Sequence, residues 1–139
     1  MNNGYVHLGD GIILLGGALL GWVAVPAAAL GSLLADVLLG YVPYALPTFI
    51  IKGATAALAV WAGRSQKGWM RVIFWMLAEG WMVAGYMLTE WMLMGIGFMG
   101  ALGSVPANLI QGASGVVIAL ALWPMLKLVR TLVEQKRIG

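Results

Sequence analysis

The side chains able to do chemistry in this chain are few, and they sit where charge is costly. Lys52 lies in the run LPTFIIKGATAALAVWAG, a single cation inside an otherwise apolar stretch. An ammonium in hydrocarbon faces a bundle interior or a wet cavity, usually beside a partner. Asp36, Glu79, Glu90, Asn108 and Gln111 have similarly apolar surroundings. These residue types offer hydrogen bonds and charge pairing, but they form no catalytic pattern. There is no H-E-x-x-H, G-x-S-x-G or Walker sequence. Glu79 and Glu90 would stand about 16 Å apart along a helix, too far for paired-carboxyl chemistry. The chain has no Cys and a single His, which removes thiolate sites and any His pair for a metal. The expectation is a protein that is not an enzyme, without cofactor or metal.

The elements that position these groups must be membrane helices. The chain has 139 residues, 62% hydrophobic and 9% charged. Its mean hydropathy of +0.93 is far from the globular norm. One integral membrane domain over residues 1–139 is expected. Three spans are plain: Pro47–Ala62, Trp69–Met94 and Ser104–Val129, each bounded by Gly, Pro or charge. Upstream, residues 11–40 would make a helix of about 45 Å against about 30 Å of hydrocarbon. A hairpin turning near Gly21, Trp22 and Pro26 fits better, giving five spans. Arg64, Lys67 and Arg71 form one basic cluster, and Lys127, Arg130, Lys136 and Arg137 another. Both flank apolar runs, as cytoplasmic segments do, so they carry no nucleic-acid signal. The loops YVPYALP and GIGFMGAL are then outside, with Tyr41 and Tyr44 in the first of them. Trp69, Trp75, Trp91 and Trp123 fall toward span ends, as in an interfacial aromatic belt. The N-terminus lacks the basic region of a cleaved signal peptide.

On this topology the polar groups share a depth. Asp36, Lys52, Glu90, Asn108 and Gln111 all fall toward the outer ends of their spans, and His7 and Asp10 precede the first span on the same side. Glu79, Val83, Tyr86 and Glu90 recur at helical spacing on one face, as do Ser104, Asn108, Gln111 and Gly115. Together they describe a polar pocket open to the exterior. Asp36 and Lys52 are expected to neutralise each other as a structural ion pair, and the Gly and Ala load of the first helices is expected to serve close packing.

The stretches GYVHLGDGIILLGGALLG, GSLLADVLLGYVPYALPTFIIKG, MVAGYMLTEWMLMG and SVPANLIQGASGVVIALAL resemble the substrate-binding S components of energy-coupling factor (ECF) vitamin importers. The resemblance implies an all-α bundle in a prokaryotic plasma membrane that captures a vitamin or precursor near the outer face. It further implies docking to a transmembrane coupling subunit and two cytosolic ATPases, and release of the ligand inside by toppling. Such proteins usually carry six spans; this chain begins where their second would, so five are expected. Carried onto this sequence, the substrate-binding residues are Asn108, Glu90, Gln111, Tyr86 and Tyr44. A flat heterocycle such as a thiamine-pyrimidine precursor or riboflavin suits amide, acidic and aromatic groups. Two other readings stay open: a ligand-free membrane scaffold, and an ion or proton pathway through Asp36, Lys52, Glu79 and Glu90.

Overall fold

A computed structural model describes residues 9–139; His7 lies outside them. All the regular structure described is helical: α1 (Gly9–Leu20), a 3-10 turn (Gly21–Val23), α2 (Ala24–Leu38), α3 (Val42–Arg64), α4 (Gly68–Leu88) and α5 (Phe98–Ile138). The chain is an all-α membrane protein. The runs Gly9–Leu38, Val42–Arg64, Gly68–Leu93 and Phe98–Ile138 are long and apolar enough to cross a bilayer.

The first of these runs is folded back as a hairpin. Gly21 has φ +68°, which an L side chain adopts only with strain, and the helix breaks there. A Cβ added at Gly16 would stand 3.7 Å from that of Ala24, whereas eight residues of straight helix span about 12 Å. Pro26 sits in the first turn of α2, where its missing N–H costs no helical bond. α1 runs parallel to α3: Asp10 meets Lys52, and Gly17 meets Ala56 and Ala59. α2 returns antiparallel, with Ala29 against Gly53. At the turn, Trp22 lies 5.7 Å from the Arg64 guanidinium, at the basic end of α3.

α3 is the central strut, packed against α1, α2 and α4, while α5 closes the bundle against α4 and α1. Lipid is as apolar as leucine, so close van der Waals contact has to hold such helices together. Gly63 permits it: a Cβ there would lie 2.1 Å from the Ala18 carbonyl oxygen. Near the basic end Leu14, Leu15, Ala18, Ala59, Ala62, Ala78 and Ala119 surround Trp75, which is fully buried. Trp75 meets Trp123 edge to face at 5.8 Å. Trp75 is therefore core and not part of an interfacial belt; its indole fills the volume left by the surrounding alanines. Trp69, in contrast, is exposed.

Several boundaries differ from expectation. α3 starts at Val42, so most of YVPYALP is helix and Tyr44 projects from its first turn. Pro43 is compatible with a first helical turn, and the proline pair hides the helix from a reading that treats Pro as a stop. The connection between α4 and α5 is correspondingly short, because GIGFMGAL becomes helical at Phe98. α5 has 41 residues, a rod of about 60 Å or twice the hydrocarbon thickness. α4 ends in a π turn, Thr89–Leu93, with Met94 N–H donating to the Thr89 carbonyl at 3.1 Å.

Candidate functional site

The hairpin leaves a gap between its arms, and the gap is a cavity of about 390 Å³, within the range of small-molecule sites. Its α1–α2 walls are largely apolar and mostly small: Ile12, Ile13, Gly16, Ala24, Ala27, Ala28 and Gly31. Facing them is a polar strip of Thr48 and Lys52 on α3, Tyr86 on α4, and Asn108 and Gln111 on α5. Ser32 and Asp36 add polar groups on α2. Thr48 and Lys52 stand at i, i+4, as do residues that share one helix face.

The floor of the strip is a buried network. Lys52 Nζ donates to Asp10 Oδ1, and Gln111 Nε2 donates to Asp10 Oδ2. Asp10 is 1% exposed and Lys52 7%. Asp10 thus belongs to the first turn of α1, where the helix N-terminus favours an anion, and does not precede the helix as the sequence suggested. The ion pair expected between Asp36 and Lys52 is replaced by Lys52–Asp10. The physical reason is reach: α1 packs along α3 in parallel and brings Asp10 to the level of Lys52, about 15 Å along α3 from its start. Asp36 lines the same cavity, yet its side chain makes no hydrogen bond or ion pair with a described residue, and its buried Oδ2 has no partner.

Tyr86 Oη and Thr48 Oγ1 are 3.0 Å apart and hydrogen-bonded. The Tyr86 ring centroid lies 5.6 Å from Lys52 Nζ. Asn108 is buried and makes no hydrogen bond among the described residues. Glu79 lies deeper, 4% exposed, with neither carboxyl oxygen hydrogen-bonded to a described residue. It packs on the Cβ-less faces of Gly112 and Gly115, where an added Cβ would stand 3.2 and 3.3 Å from its oxygens.

Of the substrate-binding residues expected from sequence, Asn108, Gln111 and Tyr86 line the cavity. Tyr44 and Glu90 do not: Tyr44 Oη donates to Glu90 Oε1 at 3.1 Å. Tyr44 borders a separate, mainly apolar hollow with Pro47, Ile51, Trp81 and Gly85. Glu90 lies one helical turn beyond Tyr86, at the start of the π turn, where Tyr44 meets it from α3. Asp10 and Thr48 were not anticipated as site residues. The i, i+4 spacing of Thr48 and Lys52 was an available signal; Asp10 showed its depth but not its pairing, because its partner is 42 residues away.

A family model described as ECF-type riboflavin transporter, S component, matches residues 1–128. A Pyrococcus woesei protein described as an uncharacterized protein in gap 3'region is 34% identical over 140 residues, covering 99% of this chain and 87% of that protein. No solved structure matches the chain.

Proposed function

The chain belongs to the ECF-type riboflavin transporter S component family, and from that premise we propose that its cavity captures riboflavin from the outer side of a prokaryotic plasma membrane. S components are substrate-binding membrane subunits of vitamin transporters, not a class of enzyme. The observation that carries the substrate reading is the pairing of an apolar, small-residue slot between α1 and α2 with the polar strip across from it. A planar isoalloxazine ring suits such a slot, and its edge needs few hydrogen bonds, well placed.

Asn108 supplies an amide donor and an acceptor, matching the imide edge of a flavin, which carries one N–H between two carbonyls. Gln111 has its amide nitrogen on Asp10 and offers its oxygen. Tyr86 presents a ring face next to the strip. Tyr44 and Glu90 act beside the cavity as a brace between α3 and the π turn. With the basic clusters inside, the cavity opens toward the exterior. Delivery then requires a transmembrane coupling subunit and two cytosolic ATPases, because the sequence holds no Walker motif of its own.

The direct test is mass spectrometry of small molecules released on denaturing the detergent-purified protein, followed by flavin-fluorescence titration. Stoichiometric riboflavin supports the reading. A thiamine-pyrimidine precursor in its place would keep the binding role and replace the substrate. Protein that is empty and gives no thermal shift with a vitamin panel would favour a ligand-free scaffold.

A further inference from the structure

We infer that Asp36 is a specificity-determining residue of the cavity: its carboxylate receives a hydrogen-bond donor of the ligand and turns away ligands that carry negative charge. The inference rests on the substrate-binding reading above, but not on riboflavin as the substrate.

Three observations converge on it. Asp36 lines the cavity, and its buried Oδ2 has no hydrogen-bond partner among the described residues. The cation lining the same space, Lys52, is already bonded to Asp10, which is itself almost fully buried. The rest of the α2 wall near Asp36 is small, formed by Gly31, Ser32 and Ala35, and its one hydroxyl, Ser32, makes no hydrogen bond to the buried Oδ2. An unanswered acceptor in a desolvated site costs free energy until something donates to it. A ligand hydroxyl, ring N–H or cationic group would make that bond, and a charge-assisted one is stronger than a neutral one. A ligand carboxylate or phosphate would instead meet like charge with no free counter-ion, so the same residue attracts one class and repels the other.

The probes are riboflavin, its 5'-phosphate monoester, thiamine and biotin, measured by thermal shift and by fluorescence titration for the flavins, on wild type and on Asp36→Asn. Wild type is expected to bind a neutral or cationic member of this set and to prefer riboflavin over its phosphate ester. Asp36→Asn, near-isosteric, should weaken the preferred ligand by roughly tenfold to a hundredfold and narrow the gap to the phosphate ester, with melting of the empty protein unchanged or raised. Binding of thiamine and not riboflavin would sink the flavin assignment while leaving the role of Asp36 standing. Binding of biotin or the phosphate ester as tightly as any neutral ligand would overturn the proposal on wild type alone. So would an affinity unchanged in Asp36→Asn, or no binding of any probe.

Discussion

Replacing Lys52 by Met is the sharpest perturbation the bundle offers. The substitution keeps most of the side-chain volume and removes the ammonium, leaving Asp10, 1% exposed, with Gln111 as its remaining donor. Breaking a buried pair by deleting one partner costs about 3–5 kcal/mol, because a desolvated charge is left uncompensated. With an unfolding entropy of about 2 cal/mol/K per residue, a chain of 139 residues then loses on the order of 10 °C of apparent melting temperature in detergent. Asp10→Asn should cost a similar amount by stranding the ammonium. The double variant removes both charges while the new amide oxygen still accepts from Gln111, and it should recover to within about 1 kcal/mol of wild type. Asp36→Asn serves as the contrast, with no loss of stability, since it removes a charge whose buried oxygen has no described partner. Thermal melts of the four variants complete the cycle. Equal losses in Asp10→Asn and Asp36→Asn, or a Lys52→Met variant that melts with wild type, would refute the assignment of Asp10 as the partner.

Gly63→Ala should destabilise by about 2 kcal/mol or more through overpacking, since its Cβ would sit 2.1 Å from the Ala18 carbonyl oxygen. Gly80→Ala, with nothing within 4 Å of the added carbon, should be neutral or stabilising in the same melts. Asn108→Ala should weaken riboflavin binding by roughly tenfold with little change in melting, as the amide bonds no described residue; an unchanged affinity would remove Asn108 from the site. Tyr44→Phe deletes the bond to Glu90 outside the cavity and should cost about 1 kcal/mol of stability. A loss of ligand affinity in this variant as large as that of Asn108→Ala would instead place Tyr44 in the ligand's contacts.

What the sequence made legible was periodicity and local punctuation. The stripe Asn108–Gln111 and the position of Tyr86 follow from helical spacing, and all three reach the cavity. The hairpin follows from length against membrane thickness, and Gly21 with Trp22 marks its turn. Long-range pairing was not legible. Choosing between Asp10 and Asp36 as the partner of Lys52 depends on which arm of the hairpin lies parallel to α3, and no local pattern encodes that choice. The Gly and Ala content of the arms was visible, but its double use was not: one face permits close packing, as at Gly17 and Gly63, while another clears the cavity wall. The π turn escaped for a related reason. A single wider turn leaves no mark in TEWML, and helical spacing alone does not say that Glu90, one turn beyond Tyr86, pairs with Tyr44 and not with the cavity.

The length of α5 has a mechanical consequence. Its last turns project past the apolar bundle as one unbroken helix, and Arg130 Nη1 donates to the Leu19 carbonyl at 2.8 Å, joining the rod to the final turn of α1. The stretch beyond Arg130, residues 131–138, extends about 12 Å past that contact. A tilt of the bundle by about 10° about the middle of the rod, about 30 Å from its tip, would then sweep the tip sideways by roughly 5 Å, so α5 acts as a pointer that turns small rotations within the membrane into displacements a spin label near Ile138 would register.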